Sequence, residues 1–216
     1  MKKVPRKNLL RRYGTIGSAI DVLYKRRLAF LDPRKWDDKN DSEFMRLYKK
    51  KSECSNLRAL CCTESPETYH HWKVFTDSAD GCFIDFHKRP LLDAVIEQPK
   101  YRYRAMDYIS LDEIKISDYN HRDLPFLKRS GFKPEKEFRI IYEGACPDNE
   151  AHYLPIDPEW ISRIVLNPWL PPAVSESVIH TLKLISPVSD LTVTPSRLTN
   201  SKTWAQWGKR LYQTDP

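Results

Sequence analysis

Glu135-Lys136-Glu137-Phe138-Arg139-Ile140-Ile141-Tyr142 is the stretch on which the reading of this chain turns. Phe138, Ile140 and Tyr142 alternate with Glu137 and Arg139, the period of two that sends one set of side chains to a buried sheet face and the other to the opposite face. The alternation predicts a strand over residues 137–142, the strongest in the sequence. It also gathers Glu135, Glu137 and Arg139 on one face. Two carboxylates spaced i, i+2 can share a site, one anchoring a ligand by charge and the other acting as a general base, provided a cleft lies over them. The alternative is an exposed charge ladder in which Arg139 neutralises both glutamates, and spacing does not choose between the two.

Working outward, residues 16–26 place Ile16, Ala19, Ile20 and Leu23 on one helical face and run into a short apolar strand, 28–31, that ends at Asp32-Pro33. A helix follows over 41–51, with Phe44, Leu47 and Tyr48 on its buried side and Lys49 to Lys51 near its C-terminal dipole. Residues 57–63 read as a buried strand. Ser65-Pro66 has the form of a helix start, carrying Tyr69, Trp72 and Phe75. Further strands are predicted at 81–86, 161–166 and 191–194, and a helix at 174–184. There is no regular strand-helix-strand repeat, so the predicted fold is α+β: a single domain with a mixed or mostly antiparallel central sheet and peripheral helices. Residues 13–216 form that domain, preceded by a basic arm at 1–12.

The length of 216 residues leaves little room for two full domains, and 40% apolar with 30% charged residues suits a globular chain. Mean hydropathy is −0.62. No apolar run reaches the length of a membrane span, and the basic N-terminus lacks the apolar core of a signal peptide, so a cytoplasmic protein without membrane contact is expected. Five cysteines, two of them adjacent, suggest free thiols, not a disulfide framework. No cysteine or histidine spacing fits a metal centre, and His70-His71 reads as a surface or packing feature. The net charge of +7 is uneven: +9 over residues 1–50, −3 over 51–150 and +1 over the rest. Lys2, Lys3, Arg6, Lys7, Arg11 and Arg12 come without an acidic neighbour, and could either attract an anionic partner such as nucleic acid or form a solvated arm.

In order along the chain stand an arginine before the first predicted helix (Arg11 or Arg12, then Tyr13), a strand ending in Thr63-Glu64-Ser65, and Glu135-x-Glu137 opening a strand. This order resembles the Arg, Ser/Thr, Glu-x-Glu layout of the ADP-ribosyltransferase fold. The resemblance implies an enzyme that uses NAD: Arg12 would clamp its phosphates with Tyr13 beside it, Thr63 or Ser65 would brace the site, Glu137 would bind the nicotinamide ribose, and Glu135 would take a proton from the acceptor. Guanidinium forks match phosphate oxygens, and a carboxylate on a ribose hydroxyl stabilises the oxocarbenium-like charge that develops as nicotinamide leaves. The hydroxyl patch departs from the family's usual Ser-Thr-Ser, and the interval from Ser65 to Glu135 requires an insertion around residues 88–129. The pieces Leu23-Tyr24, Cys62-Thr63, Trp72-x-x-Phe75, Gly81-Cys82-Phe83-Ile84-Asp85-Phe86 and Glu135-x-Glu137-Phe138-Arg139 also resemble a bacterial family catalogued as a domain of unknown function and found among phage-resistance genes. That resemblance implies a defence or toxin role without naming an activity.

Phe132, in the turn Ser130-Gly131-Phe132-Lys133-Pro134, reads either as part of an acceptor-facing loop or as a cover for the sheet edge. Trp72 and Phe75 read as core. Trp204, Trp207 and Leu211 form an i, i+3, i+7 stripe, a helix packed back on the core or onto a partner subunit. The expected function is an NAD-dependent ADP-ribosyl transfer to a nucleic-acid or protein acceptor. The alternative is a non-catalytic nucleic-acid-binding or sensor protein of a defence system.

Overall fold

The alternation around Phe138 is realised as a strand one in from the edge of a seven-stranded sheet. The protein was examined as a computed structural model that describes residues 8–76, 78–113, 118–147 and 150–214. Its elements are β1 (Leu9–Thr15), α1 (Ile16–Lys25), β2 (Arg27–Phe30), α2 (Lys39–Lys51), β3 (Leu57–Thr63), α3 (Tyr69–Phe75), β4 (Gly81–His87), α4 (Lys88–Ile96), β5 (Tyr101–Ala105), β6 (Asp107–Ile109), β7 (Leu127–Arg129), β8 (Glu137–Glu143), β9 (His152–Pro155), β10 (Ile161–Leu166), α5 (Pro172–Ile185), β11 (Val193–Pro195) and α6 (Lys202–Thr214). The sheet order is β11-β10-β4-β1-β3-β8-β5. Every pairing in it is antiparallel except β10 with β11, which gives the expected α+β fold with a mostly antiparallel sheet. Two small ribbons, β2 with β9 and β6 with β7, flank it.

One face of the sheet is closed by α1, α4 and α5 through Ala19, Val22, Leu23, Leu91, Val95 and Leu182, packed on Leu10, Leu60, Ile84, Phe138 and Ile140. The other face carries two separate clusters. Met45 and Tyr48 of α2 cover Leu57, Ala59 and Ile141 on one half. Trp72 of α3 covers Phe83 and Val165 on the other, with Tyr13 at its edge. The gap between the clusters has a backbone cause. Strands β1 and β3 pair at Arg11 and Thr63, then part, and Ala59 of β3 bridges instead to Leu31 just beyond β2.

Several local expectations are corrected. On α2 the buried residues are Asp41, Met45 and Tyr48, while Leu47 is exposed, because the helix turns a charged residue inward. On α1 they are Ala19, Val22 and Leu23, with Ile20 outward. Helix α3 starts at Tyr69, capped by Thr68, whose hydroxyl accepts from the His71 amide at 3.1 Å. Ser65 is not its cap because the helix begins four residues later; the Ser65 amide instead donates to the Thr63 hydroxyl at 2.9 Å. Helix α6 does not pack back on the core: Trp204 and Trp207 stack on each other at 5.4 Å and remain exposed. The basic stretch expected at residues 1–12 lies outside the described residues up to residue 7, and Leu9 to Arg12 belong to β1. The interval 88–129, where the resemblance requires an insertion, holds α4, β5, β6 and β7.

Candidate functional site

Where β1 and β3 diverge, a cavity of about 440 Å³ opens, within the size range of small-ligand sites. Arg12, Tyr13, Thr63, Phe132, Glu135 and Glu137 all line it. Of the residues singled out from sequence, Ser65 alone is not on its wall; it is buried behind Thr63. The Thr63 hydroxyl donates to the Glu135 carbonyl and accepts from the Ser65 amide, so it ties the end of β3 to the segment that carries the acidic pair.

Glu135 and Glu137 do not project from one strand face as the period of two suggested. Glu135 closes a 3-10 turn, Ser130–Glu135, and Lys136 adopts the left-handed conformation at φ 45 and ψ 49. That conformation costs a non-glycine residue about 1–2 kcal/mol. The kink at Lys136 leaves both carboxylates on the same cavity despite the break in strand geometry. Nor is the Glu137–Arg139 face an exposed charge ladder, for Glu135, Glu137 and Arg139 are all buried.

The Glu137 carboxylate is gripped by the Arg139 guanidinium, Nε to Oε1 at 2.7 Å and Nη2 to Oε2 at 3.1 Å. Arg139 in turn reaches Asp41 of α2 at 2.8 and 2.6 Å and the Pro125 carbonyl at 2.8 Å. Lys128 of β7 joins the group, with Nζ 2.6 Å from Glu135 and 3.2 Å from Glu137. Burial alone would raise the Glu137 carboxyl, but Arg139 and Lys128 outweigh it and hold it down to about 2. Glu135 is shifted the other way, raised by burial, with Lys128 opposing. Two carboxyls a residue apart thus have different acidities, the condition under which one can stay charged while the other exchanges protons.

On the opposite wall the two arginines of β1 differ in their commitments. Arg11 is bonded bidentately to Asp85 at 2.8 and 3.0 Å, and Arg163 adds a third contact to that carboxylate at 2.9 Å. Arg12 donates from Nη1 to the Ala29 carbonyl at 2.9 Å, and among the described residues no carboxylate pairs with it. Desolvation lowers its pKa, as burial does for any unpaired cation. Tyr13 packs edge-on to Trp72 and against Phe75, and its buried hydroxyl faces the Arg11 guanidinium. Burial lifts that phenol to about 12.

Sequence reasoning missed Lys128 and Asp41 and saw Arg139 only as a neutraliser. Lys128 belongs to a three-residue strand with no motif around it. Asp41 stands i, i+4, i+7 with Met45 and Tyr48, a spacing that could have marked it as inward-facing. His71 is a packing residue, as expected, stacked on Phe75 with its Nε2 3.1 Å from the Pro134 carbonyl. Among the described residues no group of three or more histidine, cysteine or carboxylate side chains is placed to hold a metal ion, and no helix is long and apolar enough to cross a membrane.

Among solved structures, the chain is similar to the DarT protein of Thermus sp. 2.9 in complex with carba-NAD+, with a TM-score of 0.45 and 10% identity over 90% of this chain and 98% of that one. The same protein in complex with NAD+ aligns with a TM-score of 0.45 at 8% identity over 90% and 98% of the two chains. In complex with ADP-ribosylated ssDNA it gives 0.46 and 9%, over 91% and 98%. No protein-family model and no curated protein matches the chain.

Proposed function

We propose that the cleft binds NAD and transfers its ADP-ribosyl group to an acceptor. The observation that carries this reading is the pairing of opposites in one cavity: Arg12, a guanidinium without a carboxylate among the described residues, from β1, and Glu137, held by Arg139 and Lys128, beside Glu135, whose carboxyl burial makes less acidic. Arg12 would hold a phosphate oxygen of the dinucleotide, where the charge it lacks is supplied. Glu137 would accept from a hydroxyl of the nicotinamide ribose; the Arg139 fork fixes its plane and leaves lone pairs free. As the bond between ribose C1′ and the nicotinamide nitrogen breaks, its electron pair leaves with neutral nicotinamide, and the positive charge on C1′ develops next to that carboxylate. The acceptor's nucleophilic atom then bonds to C1′ and its proton passes to Glu135.

The rim favours a polyanionic acceptor. Arg129, Lys133 and Lys136 are exposed around the Phe132 turn, and none pairs with a carboxylate within 4.0 Å among the described residues. A nucleic acid fits such a rim, its phosphates on the cations and a base beside Phe132. The test is incubation with NAD labelled in its adenylate half and either single-stranded oligonucleotides or a protein extract. Label should enter the oligonucleotide. Glu137→Gln should cut transfer by about 10²–10³-fold in a folded protein, and Arg12→Gln should raise the KM for NAD. Full transfer by Glu137→Gln would end the proposal.

A further inference from the structure

We infer that Lys128 is a positioning residue for the acidic pair, holding Glu135 and Glu137 ionised side by side so that Glu135 is free to take the acceptor's proton; this rests on the transferase reading of the same cleft. The geometry is specific. Lys128 lies opposite Tyr108 in the parallel β6–β7 ribbon, and its side chain, 9% exposed, reaches under the Phe132 ring at 4.8 Å. One ammonium bonds Oε2 of Glu135 at 2.6 Å and Oε2 of Glu137 at 3.2 Å, with Asp41 at 3.8 Å. Arg139 serves Glu137 and Asp41 and makes no ion pair with Glu135. Among the described residues, Lys128 is therefore the one cation within ion-pair distance of the proposed base.

The other groups that face the pair do not replace it. Asp41 adds a like charge, Cys61 of β3 lies against Glu137, and the Tyr108 hydroxyl, which accepts from the Glu137 amide at 2.7 Å, brings no positive charge. Without the ammonium, two buried carboxylates and Asp41 would share one guanidinium that touches only two of them. Like charges so placed hold a proton between them, and Glu135 is the member left without a partner. It would enter the reaction protonated and unable to act as a base.

The experiment compares Lys128→Met, which keeps the stem beneath Phe132, and Lys128→Gln, which keeps a neutral donor toward Glu135, with Lys128→Arg, which keeps the charge. Two readouts are taken on the full chain: kcat and KM for nicotinamide release from NAD against pH, and the carboxyl ¹³C titration of Glu135, assigned with Glu135→Gln. In the Met and Gln variants the acid limb of kcat and the Glu135 titration should both move up by about 1–3 pH units. Activity should return at high pH with the KM for NAD little changed, and Lys128→Arg should restore the limb. A Glu135 titration that stays in place in a folded Met or Gln variant overturns the inference. Should the wild-type protein release no nicotinamide, the transferase reading falls, while the titration still decides the role of Lys128: a shift upholds it as the group that keeps Glu135 ionised, and no shift overturns it.

Discussion

Replacing Arg139 by methionine tests whether the charges beneath the cleft act as one unit. The side chain is 1% exposed and bridges Glu137 and Asp41 through contacts of 2.6 to 3.1 Å. With Lys128, Glu135, Glu137 and Asp41 the cluster carries two cations and three carboxylates, and the substitution leaves one cation against three. Removing one partner of a buried ion pair costs about 3–5 kcal/mol. An independent route gives the same scale: holding Glu137 at about 2 instead of 4.5 corresponds to roughly 3 kcal/mol of linked stability at neutral pH. In a chain of 216 residues this is a loss of about 6–20 °C in Tm. The pH dependence has a definite sign. A carboxyl whose folded acidity is strengthened contributes fully above its ordinary value and loses that contribution as pH falls toward about 2. The deficit of Arg139→Met should thus be largest above pH 5 and shrink toward pH 3. Urea unfolding followed by tryptophan fluorescence across that range is the assay. A deficit below about 1 kcal/mol at pH 7, or one equally large at pH 3, would refute the account of the cluster as a coupled charge network.

Thr63→Val keeps the β-branched shape but removes the hydroxyl that bonds the Glu135 carbonyl and the Ser65 amide; a loss of about 1–3 kcal/mol in urea unfolding is expected, with Thr63→Ser close to wild type, and equal stability of the valine variant would contradict the bracing role. For the rim, substituting Arg129→Gln, Lys133→Gln and Lys136→Asn together, the last chosen to tolerate the left-handed backbone, should lower the slope of log affinity for single-stranded DNA against log salt by about 2. An unchanged slope would place the nucleic acid elsewhere.

The strand periods around 57–63, 81–86, 137–142 and 161–166 were legible because each alternation or apolar run matches a strand buried on at least one face, and local pattern is all that such a prediction needs. Strand β1 was not: Leu9-Leu10-Arg11-Arg12-Tyr13 holds two adjacent arginines, tolerated in a central strand because Asp85, 74 residues away, neutralises Arg11. The inward turn of Asp41 escaped for the same reason, its partner Arg139 being 98 residues distant.

The sequence by itself determined the α+β class; the resemblance of its order to the Arg, Ser/Thr, Glu-x-Glu layout pointed to Arg11 or Arg12, Tyr13, Thr63, Ser65, Glu135 and Glu137, and the turn before Glu135 to Phe132, of which all but Ser65 line one cavity. Only the tertiary structure decided that Arg11 is engaged while Arg12 has no carboxylate partner among the described residues, that Ser65 is buried off the cavity wall, and that Lys128, Arg139 and Asp41 surround the acidic pair. The physical reason is range. Side-chain periodicity is a property of neighbours in the chain, whereas the acidity of a buried carboxylate depends on which charges the fold brings within about 4 Å: Arg139 shares the strand of Glu137 and Lys128 stands nine residues before it, but the Asp41 that completes the cluster comes from a helix 98 residues away from Arg139.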